Sequence, residues 1–389
     1  MNRLCKIALA AMALMAISVF VPSQAAFAQS DLRQGAVYVQ TDGSAQVVGG
    51  ISVGNEVIAF FRHADGTLTE AGRFATGGSG TGAHLVSAGS VTLATVDGNQ
   101  FLYVINTATS DISVFSVQAT SLSFLQRIAS GTVRPGGVTV HDHLLYAVGE
   151  ASANIVGFRI GSDGLLTVIP GSSRTVNGTV ASEPFQVLFD NTGTLLAVSD
   201  ENINAVSTFV VDPVTGLAQG PIFNNAFGVN PFGMIFDQFN HLFVTAGGFD
   251  VPNVSDMSSF TVNPGGTLQV VSPNVLNHRQ FECWIAITSD AGNNGGHYGY
   301  TDNTGDSTIS SYFVKPDGSI TLINSVAATV PGSPLAGIVD NGMSPDSKFF
   351  YAASFLGSVN VFAIQPDGGL VTVQNVQGLP VGMAGMAVR

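Results

Sequence analysis

The chain has 389 residues, carries 26 acidic against 13 basic side chains, and is 45% hydrophobic but only 10% charged. That apolar content, with 46 glycines, is the composition of packed sheet and excludes a disordered chain. A formal charge of −13 repels phosphate backbones and so excludes nucleic acid as a partner.

The first element is a leader. Arg3 and Lys6 precede an apolar run from Ile7 to Val21, and Ala26-Phe27-Ala28 supplies a small-x-small cleavage signal. Residues 1–28 are therefore expected to be a secretory signal peptide, too short and too clearly followed by a cleavage site to span a membrane. Cys5 has no lipobox before it, so no lipid anchor is expected. The predicted product begins near Gln29 and is soluble, periplasmic or secreted, with no membrane partner. Its remaining cysteine, Cys283, has no second thiol to pair with inside the chain.

A phrase of an apolar residue, two spacers and an aromatic then recurs seven times. Its copies end at Phe60, Phe115, Phe158, Phe209, Phe260, Tyr312 and Phe362, at intervals of 55, 43, 51, 51, 52 and 50 residues. Around each copy the same four strands can be read. In the third unit these are Gly136–Val140, Leu144–Val148, Asn154–Ile160 and Leu165–Ile169. Asp163-Gly164 supplies the last hairpin, because both central positions of that turn tolerate positive φ. Asp65-Gly66, Asp317-Gly318 and Asp367-Gly368 repeat it. Strands such as Leu102-Tyr103-Val104-Ile105 are apolar on both faces, as blades covered by neighbours require. Four-strand repeats of about 50 residues without helical periodicity predict an all-β, seven-bladed propeller, one domain over residues 29–389. Ala36–Val39 reads as a second-type strand and Pro380–Val388 as a first-type strand, so the C-terminal strand is expected to complete the N-terminal blade and close the ring.

The units also resemble a known family. Tyr103-Val104-Ile105-Asn106 followed by Asp111 to Phe115, Arg134-Pro135 before Val138 to His141, Asn263 to Leu268, and Cys283-Trp284 are similar to the seven-bladed lactonases, which include 6-phosphogluconolactonase and carboxymuconate lactonizing enzyme. The resemblance implies hydrolysis of a small sugar lactone or related cyclic acid, without metal or other cofactor, by a monomer whose partner is a small-molecule lactone or carbohydrate. The family's chemistry is attributed to a His, Arg and Glu cluster on the channel face. Here its His falls on Gly136 and its next Arg and His on Pro184-Phe185-Gln186. Its acidic position is kept in type by Asp200, and its later Arg is missing around Ile285 to Ile287.

Loops entering first strands and loops between second and third strands share one face, over the channel mouth. Asp200 and Glu183 are candidate bases to activate water, and Arg134 is the candidate for the developing oxyanion. His84, Glu201, Asn230 and Glu282 are candidates to bind substrate, with Asp302 on the same face. Arg134 paired to Glu183 or Asp200 on a solvated loop is the plainer expectation. His141-Asp142-His143 reads as a surface turn on the opposite face, and Asp302 to Asp306 as a turn lacking calcium-loop spacing. The alternative function is a non-catalytic propeller that binds a ligand, glycan or protein through the same face. A six-bladed metal-dependent gluconolactonase conflicts with the count of seven.

Overall fold

A computed structural model describes residues 35–44, 46–48, 51–83, 87–177, 182–248, 253–289, 295–331 and 337–389. The expected leader, residues 1–28, and His84 lie outside the described residues.

Seven antiparallel sheets form the ring, and each runs first to last strand from inside to outside. Blade 1 is built from Met383–Val388, Gly35–Thr41, Glu56–Arg62 and Leu68–Ala75. Blade 2 is Val91–Val96, Asn99–Asn106, Asp111–Gln118 and Ser121–Ala129. In blade 3, Pro135–His141, Leu144–Gly149 and Asn154–Ile160 are followed by a broken outer strand, Leu166–Val168 and Arg174–Thr175. Blade 4 comprises Pro184–Phe189, Leu195–Asp200, Ala205–Val211 and Ala218–Asn225. Blade 5 comprises Pro231–Phe236, His241–Ala246, Asp256–Val262 and Leu268–Leu276. Blade 6 follows with Glu282–Ile287, His297–Asn303, Thr308–Val314 and Ile320–Thr329, and blade 7 with Ile338–Met343, Phe349–Ser354, Ser358–Ile364 and Leu370–Val376. A short ribbon, Gln46–Val48 with Ile51–Val53, lies in the connection between the second and third strands of blade 1, and one 3-10 turn, Glu201–Ile203, follows the second strand of blade 4.

The repeated aromatic sits on the third strand of every blade and is buried each time. Phe209, for example, packs with Tyr146, Val148, Val187 and Val198 between blades 3 and 4. Alternation of buried and exposed residues appears on the outermost strands, such as Ser121–Ala129, where water replaces a neighbouring strand. Ring closure is as expected: Val37 faces Val388 and Val39 faces Met386, and Ala36 and Arg389 exchange backbone hydrogen bonds of 3.0 and 2.9 Å.

The blades are also pinned to one another by hydroxyls. Tyr38 Oη donates to Ala119 O at 2.8 Å, Tyr103 to Gly164 at 3.1 Å, Tyr146 to Gly216 at 2.5 Å, Tyr300 to Gly368 at 3.1 Å and Tyr351 to Gly66 at 3.2 Å. Each bond runs from one blade to the turn before the outer strand of the next. In blades 4 and 5, Ala197 and Phe243 take the tyrosine's place. There the residue paired across from each, Thr208 and Ser259, donates instead, to Gly266 at 2.5 Å and Gly318 at 2.7 Å.

The axis is filled. Phe185 lies tilted against Phe232 and Phe232 edge-on to Trp284, with ring centroids 5.4 and 5.1 Å apart, and Trp284 Nε1 donates to Ser87 O at 2.7 Å. A cavity of about 70 Å³ remains beside them, lined by Gly89, Gln186, Gly233 and Asp340 among others. Cys283 is fully buried in the same cluster, and burial pushes its thiol well up.

Candidate functional site

The loops on the expected face bring an arginine and four carboxylates together where blades 3 and 4 meet. Arg134 lies in the loop into blade 3 with φ +53°, and Glu150 directly follows that blade's second strand. Glu150 N donates to Arg134 O at 3.0 Å, which laces the two loops. Arg134 Nη2 then reaches Glu150 Oε1 at 2.9 Å, with Arg134 half exposed and Glu150 buried. The arginine's partner is thus Glu150, which corrects the expected pairing with Glu183 or Asp200.

Glu183 enters from the loop before blade 4, half-buried, and its carboxyl shares a hydrogen bond with Glu150. Burial raises Glu150 to about 7; the Arg134 charge opposes the rise, and Glu183 and Glu201 add to it. Near neutrality the pair therefore holds a proton that an exposed glutamate would have lost.

Asp200 has no exposed surface. It accepts from Ser182 Oγ and from Glu183 N at 3.0 Å, so it fixes the loop that carries Glu183. Its carboxyl is raised by burial, against those bonds. Asn202 Nδ2 donates to Glu183 Oε2 at 2.9 Å from the other side. Glu201 is raised by burial and bonded by the Asn230 side chain. Asn230 is held at φ +55° by its N–H on Asn204 Oδ1 at 2.8 Å.

Five predicted residues are thus neighbours: Arg134, Glu183, Asp200, Glu201 and Asn230. Glu282 stands apart. It is the first residue of its strand and fully buried; Tyr312 Oη donates to Glu282 Oε1 at 2.8 Å, and burial raises the carboxyl to about 8. Asp302 is likewise buried and accepts from Asn341 Nδ2 at 2.7 Å. Asp142-His143 forms the expected turn, with His143 against Asp97 at 3.2 Å. Among the described residues, no three His, Cys, Asp or Glu side chains converge as metal ligands.

Glu150 was not singled out from the sequence. Its signal was positional: it directly follows a second strand, as Glu201 does in blade 4.

Residues 51–181, about a third of the chain, match the family model described as lactonase, 7-bladed beta-propeller, in line with the resemblance read from the sequence. Solved structures agree on the fold. A Lactobacillus plantarum protein is 16% identical, with 92% of this chain and 99% of that one covered and a TM-score of 0.68. A putative 6-phosphogluconolactonase from Bacteroides fragilis is 15% identical over 92% and 98%, with a TM-score of 0.66. The periplasmic gluconolactonase of Pseudomonas aeruginosa is 15% identical over 90% and 99%, also at 0.66. A search of curated protein sequences finds no match. No described helix is long and apolar enough to cross a membrane.

Proposed function

We propose that this chain is an exported, metal-independent hydrolase that opens a small sugar lactone or related cyclic ester. The observation that carries the reading is the Glu150–Glu183 pair beside Arg134 on the open face. The ionised member of the pair takes a proton from water as the water attacks the lactone carbonyl. Arg134 stabilises the oxygen that gains charge. The protonated member then gives its proton to the ring oxygen as the carbon–oxygen bond breaks, leaving a hydroxy acid. Asp200 acts through Glu183 as a positioning residue, while Glu201 and Asn230 orient substrate hydroxyls.

The test is hydrolysis of glucono-δ-lactone over its spontaneous rate. Arg134→Ala is expected to lower kcat about 100-fold with a smaller change in KM. The rate should fall as pH rises past about 7, where the pair loses its proton, and Glu150→Gln should remove that limb. The filled axis favours a second reading, in which the face binds a glycan or protein without turnover. Absence of catalysis on every lactone tried, together with saturable glycan binding, would sink the hydrolase and leave the binding module.

A further inference from the structure

A sugar lactone is neutral, whereas the acid it yields and any phosphorylated lactone are anions. Ring opening adds water across the acyl carbon–oxygen bond, and at neutral pH the new carboxyl gives its proton to solvent. The Arg134 site therefore meets a neutral molecule before the reaction and an anion after it.

The groups around that site are lopsided in sign. Arg134 is its one guanidinium, already 2.9 Å from Glu150. Glu183 and Glu201 are near enough for their charges to act on Glu150, and Glu183 and Asp200 act on Glu201. Blade 1 adds a fifth carboxyl. Asp42 directly follows that blade's second strand, the position Glu150 and Glu201 hold in blades 3 and 4, and it feels the Arg134 charge. Thr81 fixes it, donating its N–H at 2.9 Å and its hydroxyl to Asp42 Oδ2. With one proton held between Glu150 and Glu183, the other carboxylates still outnumber the single cation.

Nothing nearby restores the balance. Among the described residues, Arg279 is the other lysine or arginine in a loop of this face, and it lies 3.5 Å from Asp306. The remaining ones sit on outer strands or at the opposite end of their blades. The internal stretches outside the described residues hold no lysine or arginine. The side chains that donate to the carboxyls here include two amides, Asn202 to Glu183 at 2.9 Å and Asn230 to Glu201, and neither brings a positive charge. Partial burial does not hide the field, because salt screens such groups less than exposed ones. An anion within a Debye length, about 10 Å at 0.1 M salt, meets the whole cluster.

We propose that this mouth selects a neutral, unphosphorylated lactone and repels the anionic acid formed from it, so that charge sets both specificity and product release. The release step rests on the hydrolase reading; the choice between neutral and anionic ligands does not. Arg134 does not reverse the sign. Held by Glu150, it offers a donor to a developing oxyanion but no uncompensated charge to a phosphate.

The experiment pairs binding with turnover. Calorimetric titrations use glucono-δ-lactam, a neutral ring that stands in for the lactone, against gluconate and 6-phosphogluconate. Hydrolysis is followed on glucono-δ-lactone and its 6-phosphate. The lactam is expected to bind at least tenfold more tightly than either anion. Raising salt from about 20 mM to about 0.5 M should tighten the anions and leave the lactam unchanged. Asp42→Asn keeps the side chain's shape and an oxygen for Thr81; it should tighten gluconate about threefold without altering lactam binding. Gluconate that binds as tightly as the lactam, anion binding that weakens as salt rises, or no binding of the lactam overturns the proposal. Faster turnover of the phosphorylated lactone does so too, while leaving the hydrolase reading intact. Selective lactam binding without turnover of any lactone would retire the hydrolase and leave the charge selection standing.

Discussion

At the scale of single residues, the molecule is marked by carboxyls kept away from water. Asp256 is raised to about 6, Glu150 to about 7, and Glu282 and Asp340 to about 8, in each case chiefly by burial. In the unfolded chain such groups titrate near 4. Between roughly pH 4 and 8 the folded state therefore binds more protons than the unfolded one, and stability falls as pH rises. Glu282 and Asp340 alone are expected to contribute on the order of several kcal/mol that is present at pH 5 and lost by pH 8.5. Thermal melts across that interval should show the higher Tm on the acid side. Glu282→Gln should flatten the trend, and a Tm that climbs toward pH 8.5 would contradict the burial argument. The same residues show why the site was only partly legible. Arg134, Glu183, Asp200, Glu201 and Asn230 were found together because the repeat tells which loops share a face. Glu282, expected on the same face, is the first residue of its strand and is buried apart from the Arg134 cluster. Sequence gives the strand but not whether its first residue lies at the rim or in the interior.

At the scale of strands, the repeat was legible because its apolar third strand has one job in all seven blades. The hydroxyl pins were not, because they serve one geometry from two strands. Five blades place a tyrosine on the second strand, and two move the donor to the third, at the paired position. A search for a conserved letter misses an exchange that cross-strand pairing makes equivalent. The pins are expected to be modest individually. Tyr103→Phe keeps the buried ring, removes one bond and leaves Gly164 O short of a partner, at a cost of about 1–2 kcal/mol. Chemical denaturation should shift the midpoint with m unchanged. An unshifted midpoint would mean that the blades are held by apolar packing alone.

At the scale of the whole ring, the consequence lies in how its ends are staggered. The chain does not begin where a blade begins: it starts one strand late, and the missing strand arrives at the end. The seam is therefore an overlap joint made of backbone hydrogen bonds, not a butt joint of side chains. A cyclic arrangement has no preferred blade, but it does have a preferred phase. Linking Arg389 to Gly35, which already lie side by side, allows the chain to be reopened elsewhere. Cutting at the Asp97-Gly98 turn, between the first and second strands of blade 2, moves the overlap joint to a new blade and preserves it. Cutting near Gly131, between blades, yields seven whole sheets with nothing shared across the seam. The first permutant is expected to melt close to the parent and the second well below it, a comparison that thermal unfolding of the two reads directly. Equal melting would mean that the phase of the chain carries no stability.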